Sequence, residues 1–252
     1  MKSSAKTWIH GQSYWAASRS HRYSLLFALP LLLLYEGLAV ARPVHAGGGE
    51  IRNGADVLLR EASRALLGPW GPLTVMALVV VVCVVLVRQD IRRSGGVKLS
   101  ILGFMFAETA VLSLAFGLVV GMATAALLGQ VASLSMGPIQ NMDVTTRLML
   151  SLGAGLYEEL VFRVLLVGGL AVGSRAVFGL SRTTSGLIAT IVGALIFSAF
   201  HYVGPYGDVF HLQSFLFRAI SGVVFSALYL TRGFGITAWT HALYDIGVLV
   251  LV

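Results

Sequence analysis

The chain has 252 residues, 57% of them hydrophobic and only 12% charged, and a mean hydropathy of +0.84, which points to a polytopic membrane protein rather than a soluble domain. A net charge of +7 and a pI near 9.9 do not make it a nucleic-acid binder, because the basic residues cluster between apolar runs, as in cytoplasmic loops of membrane proteins. The single cysteine, Cys83 in "VMALVVVVCVVLV", excludes an intrachain disulfide and a Cys-based zinc site and reads as a packing residue.

Seven apolar segments follow in chain order, at residues 24–41, 71–87, 101–129, 148–170, 186–203, 213–230 and 236–252, each long enough to cross a bilayer, some only barely. The expected fold is therefore all-α, a transmembrane bundle of about seven or eight helices. Basic residues precede the first segment and "VHA" at Val44 to Ala46 resembles a cleavage site, but the leader would be unusually long, so a retained first helix is the better reading. Between the first two segments, "ADVLLREASRALL" at 55–67 sets Leu58, Leu59, Ala62 and Leu66 on one helical face and Asp56, Arg60 and Arg64 on another. This predicts an amphipathic helix on the membrane surface. No repeat, soluble second domain or long disordered linker is visible, and 29 glycines suit closely packed membrane helices.

With the N-terminus inside, the inner segments hold eleven basic residues: Lys2, Lys6, Arg19, Arg22, Arg88, Arg92, Arg93, Lys98, Arg175, Arg182 and Arg232. The outer segments hold four, Arg42, Arg52, Arg60 and Arg64. That excess places the N-terminus in and the C-terminus out.

Against this apolar background "LYEELVFRVLL", residues 156–166, stands out. An ionised side chain at the centre of a membrane helix costs roughly 2.5–3.5 kcal/mol, so Glu158, Glu159 and Arg163 need partners, water or both. Glu159 and Arg163 are spaced i, i+4 and can pair on one face, whereas Glu158 lies about 100° around an α-helix from Glu159 and has no evident match in its own segment. Later segments offer His201 in "FSAFHYVG" and His241 with Asp245 in "THALYDIG", again at i, i+4. A glutamate paired with a histidine can hold a water and take its proton as that water attacks a carbonyl. A second histidine with a polar neighbour can stabilise the oxyanion, or complete a metal site from two His and one or two carboxylates. Taken singly, a membrane histidine is more often a helix–helix hydrogen-bond donor and a Glu–Arg pair a structural pin.

These residues resemble the CPBP family, intramembrane proteases related to type II CAAX prenyl endopeptidases and to bacteriocin-processing or immunity proteins. The family pattern E-E-x3-R, F-x3-H and H-x3-N/D reads here as Glu158-Glu159-x3-Arg163, Phe197-x3-His201 and His241-x3-Asp245, in order, over residues 147–252. The resemblance implies peptide-bond hydrolysis in or at the edge of the membrane, with a membrane-associated protein or peptide as substrate and a bacterial-type cytoplasmic membrane as location. Residues 1–146 would then supply further membrane helices and the interfacial helix, and 147–252 the catalytic core of a single membrane domain. By carry-over, Glu158 and His201 would activate the water, His241 and residue 245 would contribute to the oxyanion site, and Glu159 and Arg163 would orient the first motif. An Asn at 245 could donate to an oxyanion, whereas ionised Asp245 only accepts; it could instead fix the His241 tautomer, bind a metal or be protonated. The cofactor stays open between a divalent metal such as zinc, with Glu158, His201 and His241 named first as ligands, and a metal-free glutamate mechanism.

Simple topology puts Glu158 near mid-membrane, His201 near the outer end of its segment and His241 near the inner end of the last. The helices are therefore expected to be tilted, offset in depth or broken around a water-filled cavity. The rival class is a proton-coupled transporter, for which Glu36 and Glu108 would be further intramembrane carboxylates, and a third is a non-catalytic scaffold or immunity protein. Ser221 in "AISG" and Asp208 in "PYGD" lack the first glycine of rhomboid-type and presenilin-type motifs, and read as a packing and a loop residue.

Overall fold

A computed structural model describes residues 13–41, 51–129, 139, 141–204 and 207–250. The small-residue motif at 44–46, and Lys2, Lys6 and Arg42 of the charge count, lie outside the described residues.

Those residues form helices and no strand: α1 (Tyr14–Ser18), α2 (His21–Ala41), α3 (Gly54–Leu67), α4 (Gly71–Ser94), α5 (Leu99–Leu128), α6 (Val144–Phe178), α7 (Arg182–Phe200), α8 (Leu212–Arg232) and α9 (Phe234–Leu249). Each of the seven apolar segments coincides with a helix over most of its length; 201–203 form a turn, and 251–252 lie outside the described residues. Six helices, α2 and α4 to α8, are long and apolar enough to cross a membrane. The last, α9, has 16 residues, about 24 Å at ~1.5 Å per residue, shorter than the ~30 Å hydrocarbon core.

Local chemistry sets the boundaries. Side-chain oxygens of Asn53, Asp143 and Ser181 accept from backbone N–H groups in the first turns of α3, α6 and α7. Glycine in the left-handed region closes α5 at Gly129 and α6 at Gly179. The α8–α9 connection is one residue, Gly233.

Helix α9 is the hub, packed on α2, α5, α6 and α8. Two glycines let it come close. A Cβ on Gly155 of α6 would lie 2.3 Å from the Ala238 carbonyl oxygen, and one on Gly235 2.4 Å from that of Ser24. Likewise a Cβ on Gly222 of α8 would sit 2.9 Å from Cα of Ala194 on α7. Small residues are what allow membrane helices this proximity. The outer faces are apolar: Leu78, Val79 to Val82, Val84 and Val85 of α4, Leu114, Leu118 and Met122 of α5, and Leu187 and Ile191 of α7 are exposed. No water-soluble monomer presents such a belt, and lipid is its solvent. The chain is an integral multi-pass membrane protein.

At one end of the bundle, α1 and the adjoining ends of α2, α4, α5, α8 and α9 meet around Tyr23, Phe27, Ile101, Met105 and Ile236. Two ion pairs pin this end, Arg22 to Asp90 and Arg232 to Glu108. Helix α3 lies at the opposite end, with most of its leucines outward and part of its polar face against the protein. Asp56 is buried between Arg52 and Arg60, while Leu58, Leu66 and Leu67 are exposed. Asp56 and Arg60 of the polar face are turned to the protein, where α2 and α6 supply Glu36, Tyr35 and Tyr157 to receive them, whereas Arg64 is exposed and pairs with Glu61.

Candidate active site

The middle of α6 is not α-helical. Residues Ala154–Val167, which carry Glu158, Glu159 and Arg163, form a π-helix, and at its end the Gly168 N–H donates to Arg163 five residues back. Wide i→i+5 turns are rare and concentrate at functional sites. The stretch begins at glycines that press α6 against its neighbours: a Cβ on Gly153 would lie 2.5 Å from the Tyr35 ring, and Gly155 faces α9. Helix α6 thus continues unbroken through the motif with a change of helical pitch.

The two adjacent glutamates part company. Glu159 is fully buried; its Oε2 lies 3.1 Å from Arg163 Nε and its Oε1 2.8 Å from His241 Nδ1. The sequence supplied the first contact by spacing but not the second, which ties the first motif to the third. The Arg163 guanidinium lies over Phe197, 4.4 Å from the ring centroid, and over Phe225 at 5.6 Å. Aromatic faces thus take up charge that one carboxylate contact leaves over.

Glu158 reaches other helices. Its Oε1 accepts from Asn53 Nδ2 at 2.9 Å, and its Oε2 faces His201 Nε2 at 3.9 Å. His201 ends α7, and its Nδ1 is 2.9 Å from the Phe197 carbonyl. A carbonyl oxygen only accepts, so Nδ1 carries a proton, and in the neutral ring the Nε2 lone pair then faces Glu158. Phe197 packs edge-on against His201 at 4.9 Å and Phe225 stacks on His241 at 4.4 Å. The two imidazoles are thereby held by aromatic walls as well as by hydrogen bonds.

His241 has a carboxylate on each side. With Nδ1 on Glu159, its Nε2 lies 3.6 Å from Asp245 Oδ2, too far for a hydrogen bond. The ring is therefore oriented by Glu159 rather than by the i, i+4 neighbour. For the three-ligand metal set the donors would be Glu158 Oε2, His201 Nε2 and His241 Nε2, since the two Nδ1 atoms are taken by Phe197 O and Glu159, but among the described residues no three His, Cys, Asp or Glu side chains are grouped to hold a metal ion. The donors as they stand do not fit a zinc site.

Asn53 was not singled out by sequence reasoning. It sits 105 residues before Glu158, and the only local signal was a helix-capping Asn ahead of an amphipathic run. The carboxylates that favoured transport have structural partners. Glu36 pairs with Arg52 and Arg60 and accepts from Tyr157, while Glu108 pairs with Arg232 and accepts from Tyr14. Asp208 pairs with Arg218, and the Ser221 hydroxyl donates to its own helix at Phe217.

Comparison with known proteins adds one result. The family model for type II CAAX prenyl endopeptidase Rce1-like proteins matches residues 140–247, a stretch that contains all three motifs but not Asn53. No curated protein and no solved structure matched the chain. Three motifs in order on apolar helices, the geometry that joins them and the family match agree: residues 140–247 are similar to the Rce1-like type II CAAX prenyl endopeptidases, a family of membrane proteases.

Proposed function

We propose that this protein is an intramembrane endopeptidase in which Glu158 and His201 activate a water molecule against a peptide bond of a membrane-associated protein or peptide. One observation carries the reading: Glu158 Oε2 and His201 Nε2, both acceptors, face each other at 3.9 Å with their other atoms already anchored. Hydrogen bonds to water run about 2.7–2.8 Å, so a single water spans this gap and donates one proton to each.

As the water oxygen bonds to the carbonyl carbon, its proton passes to Glu158 Oε2. The carbonyl π electrons move to oxygen, and this oxyanion accepts from Nε2–H of a doubly protonated His241, whose Nδ1–H rests on Glu159. Collapse breaks the C–N bond, and Glu158 returns its proton to the departing amine. Asp245 lies beyond His241 Nε2 and balances the imidazolium charge. Arg163 fixes Glu159, and through it His241. The steps written here use only side chains of this chain. On this reading the active protein is expected to be metal-free by metal analysis and to keep its activity under chelator.

The same reading makes the chain one membrane domain, with the chemistry in 147–252 and support from 1–146. It sets the N-terminus inside a bacterial-type cytoplasmic membrane. Arg88, Arg92, Arg93, Lys98, Arg175 and Arg182 lie along the inner side, whereas Arg52 and Arg60 of the opposite side are spent on carboxylates.

The test is cleavage by the purified full-length chain of a fluorogenic peptide ending in a CAAX sequence, in farnesylated and unprenylated forms. Cleavage that disappears in Glu158→Ala and His201→Ala, at unchanged folding, supports the reading. Equal cleavage by wild type and Glu158→Ala refutes it.

A further inference from the structure

Resting on that reading, we propose that Asn53 is a positioning residue for the water-activating glutamate, and that a closed ring of buried polar contacts around α3 holds it in place. Asn53 is buried at the N-terminus of α3 and uses both the oxygen and the nitrogen of its side chain. Its Oδ1 accepts from Ala55 N at 2.9 Å and its Nδ2 donates to Glu158 Oε1 at 2.9 Å. A backbone N–H needs an acceptor and a carboxylate needs a donor, so the amide has one orientation only. With Oε1 pinned, Glu158 has only Oε2 to offer toward His201. The hold also persists through a catalytic cycle: a proton taken on Oε2 leaves Oε1 a carbonyl oxygen that still accepts from the amide.

Asn53 is itself braced. Its backbone N–H donates to Tyr35 Oη at 3.1 Å, and Tyr35 Oη donates to Asp56 Oδ2 at 2.9 Å. Asp56 pairs with Arg52 at 3.1 Å and Arg60 at 2.7 Å, and both arginines reach on to Glu36. Glu36 accepts from Tyr157 Oη at 2.8 Å, and Tyr157 is the residue before Glu158. The ring therefore leaves α6 at Glu158 and returns to it one residue earlier, through α3 and α2. Gly153 makes room for it: a Cβ there would lie 2.9 Å from Asn53 Cβ as well as 2.5 Å from the Tyr35 ring. Charges of both signs are matched inside it, with Tyr35, Asn53 and Asp56 buried and Glu36 and Arg60 at its half-buried edge.

The experiment separates capping from positioning, using the purified full-length chain and the farnesylated fluorogenic peptide. Asn53→Ser keeps a good helix cap but cannot reach Glu158, and Asn53→Asp keeps the cap while setting a carboxylate against Oε1. Positioning predicts a kcat lowered about 10- to 100-fold in Asn53→Ser with KM within about twofold, and a larger loss in Asn53→Asp, at thermal midpoints close to wild type. Tyr35→Phe leaves the amide but removes one brace, and is expected to lower kcat severalfold at unchanged KM; it serves as the second reading should Asn53→Ser fail to fold. Wild-type kcat in the folded variants overturns the inference. Glu158→Ala is assayed alongside. If it is inactive while Asn53→Ser and Tyr35→Phe match wild type, only the role of Asn53 falls; if it is active, the water-activating reading falls and takes this inference with it.

Discussion

Replacing Gly155 by alanine adds one methyl group at the place where α6 and α9 touch. The new Cβ would lie 2.3 Å from the Ala238 carbonyl oxygen, 2.7 Å from Ala242 Cβ and 2.8 Å from Ala242 N. Carbon–oxygen contacts settle at about 3.3 Å and carbon–carbon contacts at about 3.5–4.0 Å, so the helices must part by roughly 1 Å. None of the three opposing atoms is the end of a flexible side chain. Overpacking of this kind costs about 1–3 kcal/mol, and alanine recovers at most about 1 kcal/mol through its better helix propensity. The stability loss should thus be modest, about 1–2 kcal/mol. The catalytic loss should be larger, because His241 adjoins Ala242 and its 2.8 Å contact to Glu159 crosses this same seam. A displacement near 1 Å breaks that hydrogen bond and is worth about 100-fold in rate. Gly169, on the same helix with nothing within 4 Å of an added methyl, is the control. Thermal unfolding and peptide cleavage are measured for both variants in the same lipid nanodiscs. A Gly155→Ala protein that cleaves as fast as Gly169→Ala would refute the claim that close approach of α6 and α9 sets the His241–Glu159 geometry.

Three further outcomes are expected. Glu159→Gln leaves Arg163 buried without its counter-charge, which should cost about 3–5 kcal/mol in thermal or denaturant unfolding. The double change Glu159→Leu with Arg163→Met should restore much of that stability but not cleavage, since His241 still lacks its Nδ1 acceptor; recovered cleavage would show that Glu159 has no positioning role. Asp245→Asn should keep kcat within about tenfold, because the amide oxygen still faces His241 and the amide N–H can donate to the oxyanion; a loss on the order of 1,000-fold would mean that the negative charge at 245 is essential. Glu108→Gln should destabilise the protein by about 3–5 kcal/mol through loss of its buried partnership with Arg232, yet leave cleavage per folded molecule unchanged. A catalytic defect in the folded fraction would return Glu108 to functional consideration.

What the sequence made legible followed from rules of short range. Apolar length placed all seven helical segments, and the i, i+4 rule paired Glu159 with Arg163. The same rule also put His241 beside Asp245, but at 3.6 Å the contact is looser than the one His241 makes with Glu159 across the bundle. Spacing along one helix cannot rank such a neighbour against a carboxylate on another. Asn53 was out of reach for a similar reason: a capping asparagine looks the same whether its amide faces water or a buried glutamate. The facing of α3 was ambiguous too. Amphipathicity divides a helix into two faces but does not say which one meets protein, and Glu36, Tyr35 and Tyr157 decide that from distant positions. The π-helical pitch at 154–167 left no mark in the periodicity, because most side chains around that stretch are buried.

On the proposed function, the seat of α3 gives the surrounding lipid a part in catalysis. Its leucines at 58, 66 and 67 have no protein cover, while its first turn is capped by an amide bonded to Glu158. Acyl chains on one side and ion pairs on the other would then clamp a helix that, as proposed above, sets the aim of Glu158. A membrane of different thickness or packing presses on that clamp directly, so turnover becomes a property of protein and bilayer together, and a detergent that strips the leucines of their solvent should detune the site before it unfolds the bundle.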